Sequence, residues 1–266
     1  MLQANKAIIS ADNRSFRYGD GCFETMKMIN GDIALSHYHF ERLFSSSHLL
    51  KFKPESFFTH TYLTEQIKKL AEKNNHQKLA RIRLTIFRGD GGLYDLDNLS
   101  PNYIIESFEL HSEILKLNEN GLTTSLFKDA RKTCDNFSHI KSNNFLPYIM
   151  AAIWAKENKL NDAFVLNSFN RIADATIANI FIVKNGIIKT PALSEGCIAG
   201  VMRRHLIKCI QQENIPFEET QIEPQELLEA DEIFLTNAIR GIQWIRQFEK
   251  NTYKNQLAKY LHERYM

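Results

Sequence analysis

The stretch from Lys141 to Arg203 constrains the chain more than any other. A helix-length run, Phe145 to Asn158, is followed by a strand-like segment, Ala163 to Asn167. The polar turn Ser168-Phe169-Asn170-Arg171 separates it from Asp174-Ala175-Thr176-Ile177-Ala178-Asn179-Ile180-Phe181, which leads into a hairpin around Asn185-Gly186. After Thr190-Pro191, a second helix begins at Gly200-Val201-Met202-Arg203. Helices interspersed with strands indicate a mixed α/β fold, and the rest of the chain continues the mixture.

Length and charge narrow the function classes. The 266 residues are 44% hydrophobic and 24% charged, ordinary globular values with room for one large or two small domains. A net charge of +2 makes no electrostatic case for nucleic acid. Apolar runs such as Leu146 to Ala155 are too short to span a bilayer. Met1 to Ser10 lacks the apolar segment of a secretion signal. Cys22, Cys134, Cys197 and Cys209 form no Cys-x-x-Cys pair, so free thiols in a reducing cytoplasm are expected and zinc is not. His37 and His39 are not part of a recognisable metal-ligand cluster and read as surface or packing residues.

In chain order, Lys6 to Ser10 reads as a short strand. Tyr18-Gly19-Asp20-Gly21-Cys22-Phe23-Glu24-Thr25 follows, a turn where backbone can approach a partner closely. A strand over Phe23 to Ile29 turns at Asn30-Gly31, a strong hairpin signal, and returns through Asp32 to Leu35. Ser36 is a candidate cap for a helix with Phe40, Leu43, Phe44 and Leu50 on its apolar face. A second helix is expected over Pro54 to Lys73. Leu79 to Phe87 alternates, with Ile82, Leu84 and Ile86 on one face and Arg81, Arg83 and Thr85 on the other. Arg88-Gly89-Asp90-Gly91-Gly92 lacks the Gly-Lys-Ser/Thr of a nucleotide loop. Asn102 to Leu110 is another strand, and polar His111 to Gly121 reads as an interdomain connection. Later expectations are a helix from Gly200 to Glu213, a strand from Phe217 to Ile222 and a short helix from Pro224 to Ala230. A strand from Asp231 then enters a loop, and an amphipathic helix from Asn251 to Tyr265 ends the chain.

One lysine, one carboxylate and a glycine opening a helix suit an aldehyde cofactor that carries a phosphate. The motif order resembles the fold type IV pyridoxal-phosphate enzymes, or class IV aminotransferases. That family includes branched-chain and D-amino-acid aminotransferases and aminodeoxychorismate lyases. The resemblance rests on Gly19-Asp20-Gly21-x-Phe23-Glu24, His39-x-x-Arg42-Leu43, Ile140-Lys141-Ser142-x-Asn144, Ala178-Asn179-Ile180-Phe181 and Gly200-Val201-Met202-Arg203. It implies a two-domain fold like that of D-amino-acid aminotransferase, with pyridoxal 5'-phosphate between the domains. The corresponding division is 1–113, a connection over 114–121, and a cofactor-binding part over 122–266.

The resemblance also implies roles. Lys141 forms the internal aldimine and moves protons at the substrate carbon. Arg42 holds the phosphate. Asp174 stands where the family has a glutamate and holds the protonated pyridine nitrogen, with an arm one methylene shorter. Backbone N–H groups of Val201 and Met202 bind the phosphate, while Asn237 and Ala238 are a second phosphate or substrate candidate. Phe23 and Arg88 are candidates for substrate, and a structural arginine at a strand end is an equal reading of Arg88. The partners implied are a small amino-acid-like substrate and a second copy of the chain. Phe145 replaces the tyrosine that branched-chain aminotransferases place four residues after the lysine. This and Thr236-Asn237-Ala238 lean toward the lyases, which release pyruvate from aminodeoxychorismate to give 4-aminobenzoate for folate synthesis. Only Leu93-Tyr94 stands for the usual Arg-Gly-Tyr of that group. Transamination to a 2-oxo acid is the alternative, and binding without turnover a third reading.

Overall fold

A computed structural model describes residues 9–96 and 98–266. The strand expected over Lys6 to Ser10 falls mainly outside the described residues. The chain separates into two compact units, one of residues 1–112 with 140–144, the other of residues 113–139 with 145–266. A linear division at 114–121 does not express this grouping, because the Lys141 segment goes with the first unit.

The first unit begins with helix α1 (Arg14–Tyr18), capped by the Asn13 side chain, which accepts from the Ser15 and Phe16 N–H groups. Strand β1 (Gly21–Ile29) turns through Asn30 and Gly31, at φ 50° and 83°, into β2 (Asp32–Ile33). That left-handed pair is why Asn-Gly marks the turn. Helices α2 (Ser36–Leu49) and α3 (His60–Lys73) precede β3 (Leu79–Phe87) and β4 (Asn102–Glu109). The strands form one antiparallel sheet in the order β2-β1-β3-β4. Met26, Ile82, Leu84 and Ile86 of the sheet meet Phe40, Leu43, Leu63 and Ile67 of the helices in a single core.

Two expectations here need correction. Ser36 does not cap α2: it is the first helical residue, and its hydroxyl pairs with His60 Nε2 at 2.9 Å. The second helix starts at His60 rather than Pro54. Thr59 caps it by accepting from the Tyr62 N–H, and residues 54–58 turn beforehand.

The second unit contains β5 (Leu122–Lys132), α4 (Leu146–Glu157), β6 (Asp162–Asn167), β7 (Ile172–Ala175), β8 (Asn179–Lys184) and β9 (Ile187–Pro191). It continues with α5 (Val201–Gln212), β10 (Phe217–Thr220), α6 (Pro224–Leu228), β11 (Glu232–Asn237), β12 (Gly241–Phe248), β13 (Asn251–Thr252) and α7 (Gln256–Tyr265). The strands run in the order β10-β9-β8-β11-β12-β5-β6-β7, with β13 beside β12. Parallel pairing joins β12 to β5 and β5 to β6. β6 is buried along its whole length, as parallel strands covered on both faces are. Phe181, Phe234, Leu206 and Leu261 pack in one cluster, and Phe164, Ile180, Leu227 and Ile245 in another. The turn expected after β11 spans residues 238–240 and leads into β12, where Ile242 and Ile245 are fully buried. The final helix starts at Gln256, not Asn251, because Asn251 and Thr252 pair with β12.

Candidate functional site

Lys141 is held by main-chain pairing with β1. The Phe23 N–H donates to the Lys141 carbonyl and the Asn143 N–H to the Gly21 carbonyl, both at 2.9 Å. A Cβ on Gly21 would lie 2.3 Å from the Ile86 carbonyl oxygen and 2.6 Å from Asn143 Nδ2, so only glycine permits this approach. Lys141 Nζ lies 4.6 Å from the centroid of the Phe23 ring, and the Arg83 guanidinium carbon lies 3.8 Å from the same centroid. A π face attracts cations, so Phe23 helps to collect both. Burial lowers the Arg83 pKa and Arg81 adds to the effect, against Glu106. The alternation along β3 put Arg83 beside Arg81 on one face but did not reveal this ring.

Arg42 sits on α2 with its guanidinium paired to Glu24 of β1. Nε donates to Oε1 at 2.7 Å and Nη2 to Oε2 at 2.6 Å, the forked geometry of a strong charge-assisted pair. His39 Nδ1 lies 2.6 Å from Glu24 Oε2, and both side chains are 1–2% exposed. Burial alone would raise the Glu24 carboxyl. The Arg42 charge and the His39 bond outweigh it and hold the carboxyl down at about 2. The triad aims the guanidinium that the motif assigns to phosphate. Sequence reading missed Glu24 and His39 as its supports.

Arg88 is placed as a structural arginine. It is 6% exposed, donates to Asp20 and to the Leu50 carbonyl, and stacks 4.5 Å from the Phe52 ring centroid. Asp20 also pairs with Arg14 at 3.1 Å. The geometry therefore favours the structural reading of Arg88 over a substrate carboxylate.

In the second unit, Asp174 on β7 is 2% exposed. Its Oδ2 accepts from the Tyr148 hydroxyl and the Ile198 N–H, and its Oδ1 from Asn179 Nδ2, each at 2.8 Å. Lys132 Nζ lies 3.7 Å from Oδ2. Burial raises the Asp174 pKa; the Lys132 charge and these hydrogen bonds oppose it. Burial also pushes the Tyr148 phenol well up, and the Asp174 charge adds to that. A turn aspartate would be solvated, whereas this one is surrounded by donors.

Gly200 caps α5 without a side chain. A Cβ there would lie 1.8 Å from Asn179 Oδ1, so the residue is glycine by necessity. Asn179 is fixed in turn by its bonds to Asp174 and to the Ile198 carbonyl. The first-turn N–H groups of Val201 and Met202 have no acceptor within the helix, the usual setting for an anion. Across the β8–β11 ladder Asn179 faces Thr236, whose buried hydroxyl has no hydrogen-bond partner among the described residues. Asn237 Oδ1 accepts from the Ile239 and Arg240 N–H groups, so its side chain shapes the turn that carries Ala238.

These donors fit pyridoxal phosphate. A primary amine is present for the aldehyde and a buried carboxylate for the ring nitrogen. For an anion, the first unit offers an arginine of the kind that pairs with phosphate, and the second an open helix start cleared by a glycine. Lys141 and Arg42 stand in the first unit; Asp174, Val201, Met202, Asn237 and Ala238 stand in the second.

Comparison with known proteins agrees. The chain is 28% identical over 232 residues to the aminodeoxychorismate lyase of Vibrio harveyi, covering 86% of this chain and 83% of that one. It is 29% identical over 237 residues to a putative branched-chain-amino-acid aminotransferase of Methanocaldococcus jannaschii, covering 89% and 81%. The branched-chain aminotransferase of Thermoproteus uzoniensis, solved with norvaline, shares the fold with a TM-score of 0.89 at 23% identity, covering 99% and 90%. The sequence profile of amino-transferase class IV matches residues 21–248. Motif, fold and profile thus coincide, and the chain belongs to the class IV aminotransferases, a family of pyridoxal-phosphate enzymes.

Proposed function

We propose that this chain binds pyridoxal 5'-phosphate through Lys141 and works as an aminodeoxychorismate lyase, releasing pyruvate and 4-aminobenzoate. When bound, the cofactor supplies an electron sink for charge that develops at the substrate carbon. Lys141 provides the amine that holds the aldehyde and later carries protons to and from that carbon. Arg42, fixed by Glu24, and the N–H groups of Val201 and Met202 neutralise the phosphate. Asp174 keeps the ring nitrogen protonated. Phe23 packs beside the Lys141 Nζ and borders the substrate.

The observation that carries the lyase reading is the absence of a hydroxyl at residue 145. Phe145 stacks on Tyr148 with centroids 4.4 Å apart, and the Tyr148 hydroxyl is committed to Asp174. Neither side chain therefore supplies the hydroxyl that branched-chain aminotransferases place after the lysine. The Vibrio harveyi relative supports the same reading. Transamination is the second reading, favoured by the Methanocaldococcus jannaschii relative. One assay separates them: pyruvate release from aminodeoxychorismate, against conversion of bound cofactor to the pyridoxamine form by leucine or alanine. Pyridoxamine formation without pyruvate release overturns the lyase reading.

The working form proposed is a homodimer. Leu146, Ile149, Met150 and Ile153 stand at one-face spacing on α4 and are 44–66% exposed, while Tyr148, Ala151 and Ala155 face the core. A contiguous apolar stripe of this kind marks an association surface.

A further inference from the structure

The cluster around Asp174 holds a second charge that the reaction as described does not use. Lys132 ends β5 and is 8% exposed. Its Nζ donates to the Ser138 carbonyl at 2.9 Å and lies 5.1 Å from the Tyr148 ring centroid. The other titratable groups facing Lys132 and Asp174 are the Tyr148 phenol and the Cys134 and Cys197 thiols, with Arg203 and Glu219 acting on Cys197. Burial pushes the Cys197 thiol up to about 12 and Tyr148 well above its ordinary value, so both are neutral near pH 7. Asp174 and Lys132 are then the two charges set against each other.

At 3.7 Å, Lys132 Nζ is too far from Oδ2 for a hydrogen bond but close enough for strong Coulomb attraction in a buried setting. The hydrogen bonds to Asp174 come instead from Tyr148, Ile198 and Asn179. They fill three of the roughly four lone-pair directions of a carboxylate. Burial pulls the Asp174 pKa up and the Lys132 pKa down, and each charge opposes the other's shift. Without the ammonium, burial would act on Asp174 with only neutral donors against it.

We infer that Lys132 is the positioning residue for Asp174: its ammonium, tied to the Ser138 carbonyl, holds Asp174 in the anionic form that a protonated ring nitrogen requires. A cation beside the carboxylate biases a shared proton away from the carboxyl and toward any base bonded to it. The inference rests on the proposed role of Asp174 toward the cofactor. It adds that the charge on Asp174 is maintained by Lys132.

The test uses Lys132→Met, Lys132→Arg and Asp174→Asn, each reconstituted with pyridoxal phosphate. The readouts are bound cofactor, kcat, and the pH midpoint of the visible absorption band. Lys132→Met and Asp174→Asn should both move the midpoint and lower kcat by about tenfold or more at full cofactor content, and Lys132→Arg should restore both. If Asp174→Asn moves the midpoint and Lys132→Met does not, the inference is wrong while the role of Asp174 stands. If Asp174→Asn leaves midpoint and kcat unchanged, the role of Asp174 is wrong and the inference goes with it. Should Lys132→Met fail to fold, the wild-type holoenzyme decides. Its Asp174 carbon-13 carboxyl resonance, assigned by its loss in Asp174→Asn, must show a carboxylate at neutral pH; a protonated carboxyl there overturns the inference.

Discussion

Glu24→Gln is the substitution whose effect can be worked out most fully from the structure. The wild-type carboxylate accepts two bonds from Arg42 and contacts His39, and its pKa falls from an ordinary 4.5 to about 2. A folded-state pKa below the unfolded one contributes stability that is complete above the unfolded value. It is lost as pH falls through the folded value. Here the window runs from 4.5 down to about 2. The drop corresponds to about 3 kcal/mol at neutral pH. Removing one partner of a buried ion pair typically costs about 3–5 kcal/mol, because the other charge is left behind. Glutamine cannot titrate, so the variant should lack this pH dependence. The assay is urea unfolding of the cofactor-free protein, followed by circular dichroism at about pH 7 and about pH 3. The gap between wild type and variant should be about 3 kcal/mol or more at the higher pH and distinctly smaller at the lower. An equal gap at both values would refute the reasoning, since it would mean that Glu24 acts by shape and not by charge.

Other outcomes follow from the same geometry. Asp174→Asn removes the proposed partner of the ring nitrogen with little change of size. Cofactor should be retained while turnover drops by about two orders of magnitude, roughly 3 kcal/mol of transition-state stabilisation, measured as kcat at saturating substrate. Gly200→Ala drives a Cβ to 1.8 Å from Asn179 Oδ1, and Asn179 cannot yield without giving up Asp174 and the Ile198 carbonyl. Pyridoxal-phosphate affinity should fall by about tenfold or more in a fluorescence titration. Ile149→Glu with Ile153→Glu places charge on the apolar stripe of α4. Sedimentation should report a dimer for wild type and a monomer for the pair.

Local signals made much of the fold readable. Asn30-Gly31 and Asn185-Gly186 both turn with positive φ, and the alternation of Leu79 to Phe87 matches β3 end to end. Where the signal was not local, the reading failed. The turn through Asn237 to Arg240 is readable, but β12 beyond it is not, because its strand character comes from pairing with β11 and β5. Asn251 and Thr252 read as the start of the amphipathic run that follows, yet both are weak helix formers and pairing with β12 takes them. At the site, the motifs could be read because each is a short run of residues. Their surroundings could not, because these come from distant elements. Glu24 meets His39 and Arg42 across 15 and 18 positions, and Tyr148 and Lys132 converge on Asp174 only after β5, α4 and β7 pack together. A shift in the β5–β6 register between Phe127 and Arg131 precedes Lys132, and no sequence pattern announces it.

The decisive measurement is chemical trapping. The purified protein is incubated with pyridoxal phosphate, its absorbance recorded, and the sample reduced with borohydride and digested for mass spectrometry. A yellow protein that bleaches on reduction, with a single phosphopyridoxyl adduct on Lys141 and none in Lys141→Ala, is the predicted result. A protein that stays colourless with added cofactor, or an adduct on another lysine in place of Lys141, would contradict the assignment of this chain as an enzyme acting through Lys141.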